Sequence, residues 1–139
     1  MDAITSANKN YSGDIVDGLA NGRGRLSFGN NIYYEGDFRH GCFHGCGRLT
    51  VDSLITYEGI WENNELASGR ITCENGDVFE GKLNFDLTGM GKKICPNGEI
   101  YEGDLLCGVS HGTGRLVYPD GTVLDGEWEN GRYILPLSD

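Results

Sequence analysis

Residues 101–121 read Tyr101-Glu102-Gly103-Asp104-Leu105-Leu106-Cys107-Gly108-Val109-Ser110-His111-Gly112-Thr113-Gly114-Arg115-Leu116-Val117-Tyr118-Pro119-Asp120-Gly121. The opening of this stretch, an aromatic followed two residues later by glycine, recurs along the chain. It stands at Tyr11/Gly13, Tyr34/Gly36, Tyr57/Gly59 and Phe79/Gly81, and a partial sixth copy starts at Leu124/Gly126. Successive starts lie 23, 23, 22, 22 and 23 residues apart. Spacing that regular marks a structural repeat rather than low complexity.

With the aromatic as position one, and one deletion allowed in the third and fourth copies, the columns line up. Position eight reads Gly18, Gly41, Asn64, Asp86, Gly108 and Gly131. Asn and Asp are the residues that best replace glycine in the left-handed region, so this column predicts a turn with positive φ. Position twelve reads Gly22, Gly45, Ala67, Gly89 and Gly112, and position fourteen Gly24, Gly47, Gly69, Gly91 and Gly114. Between copies, Asn75-Gly76, Pro96-Asn97-Gly98 and Pro119-Asp120-Gly121 are hairpin signals. Gly29-Asn30-Asn31 is a weaker one and Asp52-Ser53-Leu54 weaker still. The intervening segments alternate with period two, and position five is always apolar: Ile15, Phe38, Trp61, Leu83, Leu105 and Trp128. No segment carries an apolar stripe of helical period and length. Each repeat is therefore expected to be two short antiparallel strands, and the chain about eleven strands in one meander. Glycines within the strands are expected to form notches covered by neighbouring rings.

Composition agrees with a repeat fold. Of 139 residues 23 are glycine, more than twice the usual share of about 7%. Eleven Lys and Arg face 21 Asp and Glu, a net charge of −10, so a basic field for nucleic acid is not expected. No apolar run approaches the roughly 18 residues of a membrane span. Met1-Asp2-Ala3-Ile4-Thr5 has no basic or apolar leader character, and Asp2 stands where myristoylation needs glycine. Five cysteines, an odd number, fit reduced thiols better than a disulfide framework. A cytoplasmic location is expected.

The pattern Tyr-x-Gly-x4-Gly-x3-Gly-x-Gly-x-Leu with a closing Pro-Asp-Gly resembles the MORN repeat (membrane occupation and recognition nexus). The copy at 101–121 matches it almost throughout, and the likeness extends over 11–132. The resemblance implies an all-β fold, an elongated, twisted, single-layer sheet solenoid of about five and a half hairpin repeats. At two strands per repeat it would span on the order of 50 Å. The implied organisation is a tail at 1–10, copies at 11–33, 34–56, 57–78, 79–100 and 101–123, a partial copy at 124–132, and an apolar end at 133–139. The implied role is a non-catalytic protein scaffold, often at cytoskeletal or membrane-linked structures, with phosphoinositide binding as an alternative. A regulatory module for a separate catalytic subunit, a lipid kinase or methyltransferase, is a third reading. No cofactor is implied.

Several departures mark places to inspect. Lys93 stands in the column otherwise held by Leu26, Leu49, Ile71 and Leu116. Either the register slips and Ile94 takes its place, or Lys93 snorkels past its neighbours. The end Tyr133-Ile134-Leu135-Pro136-Leu137 is expected to cap the last edge strand, with a homodimer contact as the alternative.

Candidate chemistry falls in five places. Gly108-Val109-Ser110-His111-Gly112 fits the nucleophile-elbow expression, but its glycines belong to the repeat columns and no helix follows, so catalysis is not expected. His40, Cys42, His44 and Cys46 pack four potential zinc ligands into seven residues. Zinc sites usually join two ligand pairs across a longer loop, so no metal is expected there. Cys73 and Cys95 are expected to act as small buried hydrophobes. Position fifteen is basic in every full copy, Arg25, Arg48, Arg70, Lys92 and Arg115, while position two, Ser12, Glu35, Glu58, Glu80, Glu102 and Asp125, is nearly all acidic. A ladder of surface ion pairs is preferred over a lipid-headgroup stripe, because anionic lipid attracts uncompensated basic clusters. Finally, Tyr34, Phe38, Tyr57, Trp61, Phe79, Tyr101, Tyr118 and Trp128 would share one face. With no second layer predicted, they are expected to line an apolar groove for a partner helix or extended segment, with Trp61 and Trp128 as anchors.

Overall fold

A computed structural model describes residues 2–136. Its described residues form strands and turns with no helix, and the chain divides into two compact units after Glu74. In the first unit β1 (Tyr11–Val16), β2 (Leu19–Gly29), β3 (Ile32–Arg39), β4 (Cys42–Val51), β5 (Ile55–Glu62) and β6 (Glu65–Cys73) follow one another as an antiparallel meander. In the second, β7 (Val78–Leu83), β8 (Gly89–Ile94), β9 (Ile100–Leu106), β10 (Val109–Val117), β11 (Val123–Glu129) and β12 (Arg132–Pro136) do the same. The twelfth strand is the apolar end, which pairs with β11 up to Pro136; Leu137 lies outside the described residues.

The glycine column at position eight does what a two-residue hairpin requires. Asp17-Gly18, His40-Gly41, Asn63-Asn64, Cys107-Gly108 and Asn130-Gly131 each place two consecutive residues at positive φ. A type I′ turn needs that pair of dihedrals, and its twist matches the strands it joins. The fourth copy differs. Asp86 is not at positive φ; Leu87 is, at 67°, inside a longer loop closed by Asn84 N–H on the Thr88 carbonyl at 2.9 Å. Between copies, Asn30-Asn31 and Asp52-Ser53 also adopt positive φ, so even the weaker junction signals form tight turns.

Inside the strands, close approach explains the glycines at positions three and fourteen. Gly36 and Gly47 face each other in register, and a Cβ on Gly47 would overlap the Tyr34 ring. The Tyr34 hydroxyl then donates to the Asp37 carbonyl at 2.8 Å, and Tyr101 repeats the bond to Asp104 at 2.7 Å. A second device sits beside it. Where position four is Asp, its carboxylate accepts a backbone N–H across the hairpin: Asp14 from Arg23 at 3.0 Å, Asp37 from Cys46 at 3.1 Å, Asp104 from Thr113 at 3.1 Å. Each of these spans a bulge whose glycine would carry a Cβ only 2.7–2.9 Å from the Asp Oδ2. In the third copy Ile60 replaces the Asp, Ala67 replaces the glycine, and the repeat is one residue shorter. The deletion goes with the lost Asp: the fourth copy, with Lys82 at position four, is one residue shorter as well although it keeps Gly89, which fits a bulge that needs a carboxylate to receive its N–H.

Lys93 keeps its register. It lies opposite Phe79 on β7 and Tyr101 on β9, while Ile94 points to the other face opposite Val78 and Ile100. The ammonium reaches Asp77 Oδ2 at 3.9 Å and stands 5.7 Å from the Phe79 centroid. Of the two alternatives, the side chain extends past its neighbours and no slip occurs.

Gly47→Ala is expected to cost about 1–3 kcal/mol of unfolding free energy, because the Tyr34 ring must move. Gly29→Asn, at a position open to solvent with a φ of 86°, is expected to stay within about 0.5 kcal/mol of the parent. Urea titration followed by circular dichroism measures both.

Candidate functional site

The two faces of each unit have different chemistry. On the first, seven of the eight rings expected to line a groove are consumed by the core. Tyr34, Phe38, Tyr57, Trp61, Phe79, Tyr101 and Trp128 are all 6% exposed or less, and only Tyr118 is half-buried. Phe43, which position-by-position reading did not single out, joins them: it stacks on Tyr34 at 3.8 Å and meets Trp61 edge-on at 5.6 Å. The expected anchors are spent in the same way. Trp61 Nε1 donates to the Gly47 carbonyl and Trp128 Nε1 to the Gly114 carbonyl, each at 2.9 Å. Their indoles are buried and their polar handles satisfied, so neither is poised to enter a partner. Among the described residues these rings cover one another and, at Gly24, Gly47 and Gly114, the glycines of their own layer, while Phe28 beside Phe43 stays 46% exposed.

The opposite face carries the charged columns. In register across the first unit run Ser12, Arg25, Glu35, Arg48, Glu58 and Arg70; across the second run Glu80, Lys92, Glu102, Arg115 and Asp125. Ion pairs form along the rows: Arg25–Glu35 at 3.6 Å, Arg48–Glu58 at 2.6 Å, Arg115–Asp125 at 3.0 Å. The five basic residues are therefore a ladder with interleaved carboxylates, not a cationic stripe. As exposed pairs each contributes about 0–1 kcal/mol.

Beside the second unit's ladder lies a feature absent from the sequence reading. Val78, Ile94, Ile100, Val117 and Val123 are cross-strand neighbours in one continuous row on the charged face. They are half-buried to exposed, Val123 at 45%. The equivalent row of the first unit is Ser27, Tyr33, Thr50, Thr56 and Thr72. The second unit thus exposes β-branched aliphatics where the first carries hydroxyl groups. Five strands at about 4.8 Å spacing make a stripe about 19 Å long.

Other candidates are not assembled into sites. His40 occupies a turn, and Cys42, His44 and Cys46 are spread along β4. Extended chain carries Cys42 and Cys46 about 13 Å apart, too far for one tetrahedron. Among the described residues no three His, Cys, Asp or Glu side chains gather as metal ligands. Ser110 and His111 lie within β10, with no strand-to-helix elbow. Cys73 and Cys95 are half-buried rather than fully buried; burial, then the nearby Asp77 carboxylate, raises the Cys95 thiol's pKa.

A family model for the MORN repeat matches residues 11–32, 34–50, 57–78 and 101–123. The chain belongs to the MORN-repeat family. No curated protein matches it. The match omits 79–100, the copy with Phe for Tyr, Lys93 in the leucine column and the longer loop around Leu87. The repeat's aromatic and glycine positions are the core-forming ones here, so this chain's MORN signature describes how it folds.

Two predictions separate core from docking surface. Trp61→Ala is expected to cost about 3–5 kcal/mol of stability, measured by chemical unfolding. Burial, then the Asp104 carboxylate, pushes the Tyr101 phenol up to about 12, and Tyr34 rises for the same kind of reason with Asp37. A raised folded-state pKa means this stabilisation is complete below the free phenol value of about 10 and is lost as pH rises through about 12. Absorbance titration at the tyrosinate band should show Tyr101 and Tyr34 ionising late, and Tyr101→Phe should reduce that late component by one tyrosine and leave Tyr34's.

Proposed function

We propose that this MORN-repeat chain is a non-catalytic protein-binding scaffold, working at a cytoskeletal or membrane-linked assembly, that holds a partner segment on the aliphatic stripe of its second unit. The observation that carries the reading is the stripe itself. Five β-branched residues stand outside the core, in register, rimmed by the Glu80–Lys92–Glu102–Arg115–Asp125 ladder. An apolar row bordered by charges of both signs suits a protein surface: the aliphatics supply burial and the ladder orients. The hydroxyl-bearing row of the first unit argues that the fold does not need aliphatics there. The ladder also weighs against phosphoinositide binding, since each basic residue of position fifteen has acidic register neighbours.

The test uses the chain's own alternative chemistry. Ile100→Thr with Val117→Thr copies the first unit's row and should leave the fold intact. In quantitative affinity capture, partners held by the parent chain should be lost from this variant and kept by a Thr56→Val control. Recovery of the same partners by both would contradict the reading. Flotation with phosphoinositide vesicles at physiological salt is expected to show no retention; retention abolished by changing Arg48, Arg70 and Arg115 to Glu would favour the membrane alternative.

A further inference from the structure

Successive hairpin tips meet through one recurring bond, from the N–H of position eight to the carbonyl of position ten in the copy before. It joins Gly41 to Ala20 at 2.8 Å, Asn64 to Phe43 at 3.1 Å, Gly108 to Leu87 at 3.1 Å and Gly131 to Ser110 at 2.9 Å. Beside each bond is a small notch with a backbone N–H on one wall and a carbonyl on the other. In three of the four, something fills it.

The first notch takes the chain's own beginning. Ile4 donates its N–H to the Gly41 carbonyl at 2.7 Å and accepts the Ala20 N–H at 2.9 Å; its side chain is 6% exposed. A Cβ on Gly41 would strike Ala3 and Ile4, so glycine is what admits the segment. The second notch is plugged by a side chain: Asn64 stands in place of the glycine and its Oδ1 accepts the Phe43 N–H at 2.8 Å. The notch beside Gly108 is filled by Leu87 from the longer loop, 3.2 Å from where a Cβ would stand.

The last notch, between Ser110 and Gly131, matches the first in its closing contacts, and differs at the preceding tip, where Gly108 packs against Leu87 and Gly18 is open. Ser110 pairs with Leu105 and Val109 with Leu106, as Ala20 pairs with Ile15 and Leu19 with Val16. In that register the Ser110 N–H points away from β9, as the Ala20 N–H points away from β1. His111 Nδ1 accepts the Asn130 N–H at 3.5 Å, where Asn21 Oδ1 accepts the His40 N–H at 3.0 Å. Position eight is again glycine, and a Cβ on Gly131 would meet only Val109, at 3.9 Å. Among the described residues nothing occupies the place that Ile4 holds in the first notch.

We propose that the Ser110–Gly131 notch is a docking site for an extended segment of a partner protein that presents one β-branched aliphatic residue after a small one, in the manner of Ala3-Ile4-Thr5. The segment's central residue would donate to the Gly131 carbonyl and accept from the Ser110 N–H, with its side chain laid into the space that glycine leaves. Main-chain bonds give attachment and one side chain gives selectivity, as when a strand is added to a sheet. The inference deepens the scaffold reading by naming a second contact, and it is independent of the aliphatic stripe.

The probe is an acetylated peptide of residues 2–8 titrated into the isotope-labelled full chain, followed by amide NMR. The Ser110 amide is expected to shift saturably, and replacing isoleucine in the peptide by alanine should weaken binding about tenfold. Gly131→Asn, which installs the plug seen at Asn64 at a position where Asn tolerates the backbone, should abolish the response with the spectrum otherwise preserved. Asn64→Gly should create a second response at Phe43. No saturable shift at Ser110 up to millimolar peptide, or a shift that survives Gly131→Asn, overturns the proposal. Either result leaves the stripe test above unaffected, so failure here and failure of the scaffold reading are distinguishable.

Discussion

The packing of a tyrosine ring against a glycine on the neighbouring strand is the constraint on which the first, second and fifth hairpins depend, with Tyr11 over Gly24, Tyr34 over Gly47 and Tyr101 over Gly114. A lone antiparallel layer has no helix or second sheet to cover its apolar face. Here the Tyr34 ring lies where a Gly47 side chain would be, and Tyr101 lies over Gly114 in the same way. The phenol hydroxyl closes the unit on a carbonyl three residues on, and Trp61 and Trp128 extend the cover to the backbone of the neighbouring copy. Rings that complete their own layer are not free to receive a partner, so binding chemistry has to be sought on the other face and at the hairpin tips.

Much of this architecture was legible in residue order. The period, the two-strand repeat and the positive-φ turns follow from columns of glycine, aromatic and Asn-Gly residues, because those residue types have few other uses at fixed spacing. Other features were hidden for identifiable physical reasons. Phe43 escaped notice because position ten is variable, holding Ala20 and Ser110 elsewhere; its burial depends on which rings surround it. The role of Asp37 is visible only when the third copy's deletion is set beside Ile60 and Ala67. Lys93 could not be placed from order alone, since register slip and an extended lysine give the same residue pattern. The beginning of the chain reads as a tail, yet Ile4 is core, because the notch that receives it is made by turns more than ten residues away.

The candidate surfaces arise where copies depart from one another. Identical repeats would give identical faces, and function then rests on substitutions that the fold tolerates. The second unit changes a hydroxyl row to an aliphatic one without altering strand register. The tips vary between glycine, asparagine and a longer loop while keeping the same inter-copy bond. Both changes leave the antiparallel strand order intact, so copies can differ at their faces and tips on one frame.

The claim that the aromatic face is a closed core is tested most directly by the protein's two tryptophans, which both belong to it. Steady-state fluorescence of the full chain with increasing acrylamide reads Trp61 and Trp128 together. The account predicts blue-shifted emission and weak quenching until the protein unfolds. Emission near that of free indole with efficient quenching in the folded state would contradict it and restore the rings as an open groove.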